Sequence, residues 1–299
     1  MQHIRLVRTV LILAVTLTAG SCWQRRPRPA AGGIRLLYQI NVDDVDPDRR
    51  MGLTERTMKV VRLRLDPEGV RELTVRPVGE YRFEVLMAGL PGADDQEMAA
   101  LLVQAKRILG RSGRLEFRLL ADDETERTAR ETGEVPDGCK WYPVAKDAQD
   151  KLDSRAEILV RIDDGFDLTG SYLDSVAKGL DDNMRPAVRF TFNDSGGRRF
   201  GRLTGRNVGK RLAIILDGQV HSAPVIKSRI ESRGIIEGGR NGFSVQEQEE
   251  LIAVLNAGSL EAGLTLLREE IIGGGGAERG AAKTQEAPDS RAVGGGAPE

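Results

Sequence analysis

A chain of 299 residues can hold one large or two ordinary domains, and a composition that is 40% hydrophobic and 30% charged is that of a globular protein. Its 44 basic residues almost cancel its 45 acidic ones, so no global field draws it to nucleic acid or to an anionic membrane. Only His3 and His221 are present, which excludes a multi-histidine metal site.

The first residues have the form of an export signal: Arg5 and Arg8 give a positive start, and Thr9 to Ala19 is an unbroken apolar or small run. That run is too short to span a bilayer comfortably. It ends in Ala19-Gly20-Ser21-Cys22, which resembles the lipobox of bacterial lipoproteins, with Ala19 where leucine is usual. The expectation is a signal peptide over 1–21, with Cys22 as the lipid-anchor residue that holds the chain to a membrane. Lipidation of Cys22 leaves Cys139 without an intramolecular disulfide partner. Residues 22–33, with prolines and arginines, read as a linker.

Ile34, Leu36, Tyr38 and Ile40 then alternate with Arg35 and Gln39, which predicts a strand with one buried face. A helix follows with Met58, Val61 and Leu65 on one side, stopped by Pro67. Leu73 to Val78 and Tyr81 to Met87 read as two strands joined near Gly79. The clearest helix carries Met98, Leu101, Leu102, Ala105, Ile108 and Leu109 in one stripe, with Asp94 or Asp95 as cap and Gly110 as stop. Leu115, Phe117 and Leu119 alternate in a further strand. Residues 34–120 thus predict an α+β fold beginning with a ferredoxin-like split βαββαβ unit that closes on itself.

Residues 121–167 lose this regularity and read as an insertion or irregular crossover, with a strand at Ile158 to Ile162. From Leu168 a second α+β subdomain is expected, running to residue 270. Val188, Phe190 and Phe192 alternate; a helix around Arg198 to Asn207 buries Phe200 and Leu203. Leu212 to Leu216, the turn pair Asp217-Gly218 and Val220 to Ile226 form a hairpin. Ser244 and Glu247 make a capping box for a helix that turns Leu251, Val254 and Leu255 to the core and ends at Gly258. Thr265 to Arg268 reads as a last strand, and residues 271–299 as a Gly-, Ala- and Pro-rich disordered tail.

Several of these stretches carry a family resemblance. NVGKRLAIILDGQVHSAPVI (207–226), FSVQEQEELIAVLNAGSLEAGL (243–264) and TLLREE (265–270) closely resemble the first periplasmic domain of the SecD/SecDF protein-export family. GIRLLYQINV (33–42), VVRLRLDPEGV (60–70), LMAGLPG (86–92), RLEFR (114–118) and LTG (168–170) are similar to it more weakly. The resemblance implies a periplasmic base followed by a head-like subdomain. Family members run from here into transmembrane helices, whereas this chain continues with Ile271-Ile272 and four glycines, so the expectation is the export domain without its transmembrane region.

The remaining motifs offer little chemistry. His221, Ser222 and Asp217 invite a triad reading, but neighbours on one hairpin alternate faces and cannot align nucleophile, base and orienter. No sign in the sequence brings Cys139 to His221. Asp44, Asp46, Asp48 and Glu55 have calcium-loop spacing, yet Arg49 stands where the sharp turn needs glycine, so a solvated loop near a helix start is the reading. Gly275 and Gly280 are spaced as in a phosphate loop, but Lys283 does not directly follow the second glycine. No catalytic residue, cofactor or metal is assigned.

The resemblance implies a non-enzymatic, periplasm-facing envelope module that contacts unfolded or translocating polypeptide, with export-channel subunits as further partners. Exposed strand edges would accept such chains without demanding a sequence. The alternative is a scaffolding lipoprotein that binds one folded envelope partner.

Overall fold

The alternation at Ile34, Leu36, Tyr38 and Ile40 does produce a strand, and all four side chains are buried. This computed structural model describes residues 32–43, 45–89 and 92–272. In chain order the elements are β1 (Gly33–Ile40), α1 (Leu53–Leu65), β2 (Leu73–Pro77), β3 (Arg82–Ala88), α2 (Asp95–Gly110), β4 (Leu115–Leu119), α3 (Asp123–Thr132), β5 (Cys139–Pro143), β6 (Glu157–Arg161), β7 (Leu168–Thr169), β8 (Leu173–Leu180), β9 (Pro186–Phe192), α4 (Asp194–Arg206), β10 (Leu212–Leu216), β11 (Gln219–Ser222), β12 (Arg233–Glu237), α5 (Val245–Ala257) and β13 (Leu264–Ile272).

The unit expected over 34–120 does not close within that range. Its sheet has the order β13-β1-β3-β2, all antiparallel, so the last strand comes from the far end of the chain. β4, expected to fill that place, instead joins a second sheet of order β11-β10-β4-β7. β4 alternates cleanly whereas β13 is interrupted by Leu267 and by the run Arg268, Glu269 and Glu270, so local alternation points to the wrong strand and the partner surfaces decide which one pairs with β1. The expected boundary at 270 also moves, because Ile271 and Ile272 pair with Ile34 and Gly33. We call the first unit, with β13, the base, and the rest the head.

The base core lies between its sheet and the helices α1 and α2, with Leu53, Val61, Phe83, Val85 and Leu109 wholly buried. α2 begins where expected: Asp94 accepts from the Glu97 N–H at 2.8 Å, and the Glu97 carboxylate accepts from the Asp94 N–H at 3.1 Å. On the opposite face of the sheet Arg35 is buried rather than exposed. It lies in a ladder with Glu270 (2.8 Å) and Glu84 (3.5 Å), and Arg76 completes it on Glu84.

The head core centres on four phenylalanines from three elements. Phe117 of β4, Phe190 and Phe192 of β9 and Phe200 of α4 lie with ring centroids 5.1–6.3 Å apart, mostly tilted or edge-on. β9 sits in a three-stranded sheet of order β12-β9-β8. The head sheets are therefore held together by rings whose positions span residues 117–200.

Residues 121–167 are an ordered layer rather than an irregular crossover. α3 is capped by Asp122 and stopped by Gly133 in the left-handed conformation, and β5 pairs with β6. Tyr142, Ile158 and Val160 pack on Ala213, Ile215 and Val220 of the hairpin, while Leu212, Ile214 and Leu216 face the phenylalanine core. β10 is an uninterrupted apolar run because both its faces are covered.

Candidate polypeptide-contact surface

The hairpin carrying the strongest sequence signal turns at Asp217-Gly218, both with positive φ (51° and 78°). That is the type I′ geometry, whose twist matches the flanking strands. The Asp217 carboxylate does not face His221. Its Oδ1 accepts from the Ser112 hydroxyl at 2.6 Å and from the N–H groups of Gly113 and Arg114 at 2.7 and 3.1 Å. Asp217 thus ties the turn to the passage that leads from α2 into β4. Ser222 is buried and His221 is half-buried on successive positions of β11, so the three residues do not converge.

Cys139 opens β5 opposite Arg161, and burial pushes its thiol pKa up, which leaves it a poor nucleophile. Asp46 caps a single 3₁₀ turn by accepting from the Asp48 N–H at 3.0 Å. Among the described residues no group of three or more His, Cys, Asp or Glu could hold a metal ion. Asp44, Cys22, Gly275, Gly280 and Lys283 lie outside the described residues.

A residue that the sequence did not single out organises the junction of base and head. Arg64, on α1, is 1% exposed. Its guanidinium donates to the carbonyls of Arg111, Ser112 (2.8 Å), Gly258 (2.9 Å) and, more weakly, Ile108 (3.4 Å). These carbonyls end α2, open the passage to β4 and cap α5, where helix dipoles favour a cation. Burial pulls the Arg64 pKa down to about 10, with Asp217 acting against it, so it is charged at neutral pH. α5 packs on both sides of this point: Leu251 and Leu255 enter the head core and Val254 the base core.

Sheet edges are where an extended chain can add, and most of them are closed. On β8 the Asn256 amide of α5 accepts from the Val176 N–H and donates to its C=O, both at 3.0 Å. The outer edge of β11 is taken by the chain at 144–145, where the Ala145 N–H donates to the Val220 carbonyl. On β2 Arg62 donates to the Val75 carbonyl, and the strand ends on Pro77. β13 carries a bulge at Leu267 and the charged run Arg268, Glu269 and Glu270. β5 ends on Pro143, which has no N–H, and β7 is two residues long.

β12 is different. Phe192 donates to the Ser232 carbonyl, so the pairing with β9 uses residues 232, 234 and 236. Arg233 and Ile235 therefore turn their N–H and C=O outward, and both side chains are exposed. Gly234 lies between them because a Cβ there would sit 2.3 Å from the ring of Phe190.

Residues 145–262 match the family model of the SecDF P1 head subdomain. The chain is 35% identical over 229 residues to the protein translocase subunit SecD of Aquifex aeolicus, an alignment that takes in 74% of this chain and 40% of that one. The SecD of Syntrophobacter fumaroxidans is 29% identical over 253 residues, 84% of this chain and 45% of the relative. A crystal structure of SecDF in a super-membrane-facing form superposes with a TM-score of 0.59 at 26% identity, over 84% of this chain and 32% of that one. The chain carries a periplasmic domain of the SecD kind. A second solved structure, of a membrane component SecDF that enhances protein export, gives a TM-score of 0.53 at 26% identity and is covered over 97% of its length. The SecD-type domain is a mixed helix-and-strand fold, and its matched head region contains the β10–β11 hairpin, the β12 edge and α5. The chain spans less than half the length of these two SecD relatives. No helix among the described residues is long and apolar enough to cross a membrane.

Proposed function

We propose that this chain acts in protein export as a periplasm-facing, non-enzymatic module that contacts unfolded or translocating polypeptide, with β12 as the accepting edge. The observation that carries the reading is the outward pair Arg233 and Ile235 on a terminal strand of the head. The closed edges elsewhere and the similarity to SecD support it. A chain laid along β12 gains main-chain hydrogen bonds that any extended sequence can make, so affinity is modest and preference low. Export-channel subunits are the further partners.

The test is binding of an unfolded secretory polypeptide to the wild type and to Ile235→Pro. Proline at this position removes an outward N–H and no bond to β9, so the fold is retained while pairing is lost. Binding is expected to fall about tenfold, the worth of one or two lost hydrogen bonds. Unchanged binding, or equal binding of the folded and unfolded forms of one substrate, would overturn the reading. Cys22 is proposed as the lipid-bearing residue on its sequence context; Cys22→Ser should release the chain from membranes or leave the leader uncleaved, and an unchanged mass together with unchanged membrane retention would refute it.

A further inference from the structure

The near-neutral chain hides one strongly basic face. Residues 194–233 contain nine Lys and Arg against three Asp and Glu, in a protein whose net charge is −1. One of those three acids, Asp217, is already engaged by Ser112, Gly113 and Arg114. Arg198, Arg202 and Arg206 recur every four residues along α4 and are all exposed, so they form one stripe about 12 Å long. Like charges at this spacing destabilise a helix, and a neutral protein gains nothing by lining them up.

Arg229 joins the stripe from another element. Loop 227–232 lies across the glycines of α4: Thr204 accepts from the Ile230 N–H at 2.9 Å, and a Cβ at Gly201 or Gly205 would come within 3.2 or 3.5 Å of the Arg229 side chain. Lys210 and Lys227 are brought in by backbone pairing, the Gly209 N–H donating to Ile226 and the Ile226 N–H to Lys210, both at 2.8 Å. Among the described residues none of these six cations has an ion-pair partner. The same pairing sets two apolar side chains beside them, Val208 (54% exposed) and Val225 (51% exposed).

We propose that this face, α4 with loops 207–211 and 224–230, docks on a membrane surface rich in anionic phospholipid. Six unneutralised cations complement phosphate-bearing headgroups, and the exposed valines can enter the headgroup boundary. An acidic polypeptide is the less favoured occupant, because the backbone groups of the two loops satisfy each other and leave only side chains to present. Docking would hold the head against the membrane with β12 free for a chain, a role additional to polypeptide contact and independent of it.

The test uses residues 22–299, which hold all of the described fold, with Cys22→Ser, so that neither lipid at that residue nor the apolar run of residues 9–19 contributes, and sediments it with vesicles. Vesicles containing phosphatidylglycerol should bind at least tenfold more tightly than phosphatidylcholine alone, with the difference vanishing at high salt. The triple variant Arg202→Glu, Arg206→Glu, Arg229→Glu should lose about 100-fold or more of the phosphatidylglycerol-dependent binding. A control with the same charge change at exposed cations elsewhere, Lys59→Glu, Arg82→Glu, Arg127→Glu, should lose only a few-fold, and thermal melts must show both variants folded. Ile235→Pro should leave vesicle binding unchanged, which separates this proposal from the polypeptide one. Equal binding to both vesicle types, equal loss in the two triple variants, or capture of polyglutamate without any capture of vesicles would each overturn it.

Discussion

Replacing Arg64 with methionine removes a side chain that ties base to head by hydrogen bonds to the end of α2, the passage into β4 and the end of α5. The substitution keeps the apolar stem and roughly the volume, so the cost is polar. Four carbonyls lose a charged donor, and hydrogen bonds to charged groups contribute about 1.5–3 kcal/mol each. That gross sum overstates the effect. Arg111 and Ser112 are half-exposed, so water replaces part of the loss, and the desolvation cost of a buried guanidinium disappears. A net destabilisation of about 3 kcal/mol remains, which for a fold of this size lowers Tm by about 6–12 °C. Urea denaturation followed by circular dichroism gives the free energy, and a thermal scan gives Tm. Arg64→Lys should recover less than half, since a single ammonium cannot reach carbonyls on both sides of the junction. A loss under about 1 kcal/mol for Arg64→Met would mean that apolar packing of α5, and not this cation, joins the two cores.

Gly234→Ala should cost about 1–3 kcal/mol by driving a methyl group into the Phe190 ring, and Phe190→Leu in the same chain should recover part of it in a double-mutant cycle measured by urea denaturation. Stability should be level from neutral pH down to about 5 and fall below about 4.5. Glu247 is held below the usual carboxylate range by the Ser244 N–H, Asp122 by the Thr125 N–H and Glu261 by the Arg56 guanidinium. Folded pKa values below the unfolded ones stabilise the protein above the unfolded pKa, and this is lost as the groups protonate. Glu247→Gln keeps the capping acceptor but cannot titrate, so its Tm against pH should fall less steeply; an identical slope would refute this assignment.

Local rules made much of the fold legible. Ser244 with Glu247 and Asp94 with Glu97 mark helix starts through hydrogen bonds that form within four residues, and Asp217-Gly218 marks a turn through its own backbone preference. The motifs at 207–226 and 243–264 likewise sufficed to suggest the family. α3 was missed because its stripe is only Glu126 and Ala129, although Asp122 and Gly133 are a cap and a stop that could have revealed it. Other features were completed only by contacts that no local pattern encodes. Whether β4 or β13 closes the base sheet depends on which surfaces the whole chain brings together, and the local alternation, cleaner in β4 than in β13, points to the wrong strand. The role of Arg64 depends on carbonyls up to 194 residues away, and the basic face depends on a loop folding back over the glycines of α4. Periodicity and capping act over a few residues and are written in order along the chain; edge closure, charge clustering and buried hydrogen bonds are properties of surfaces that exist only after distant segments have met.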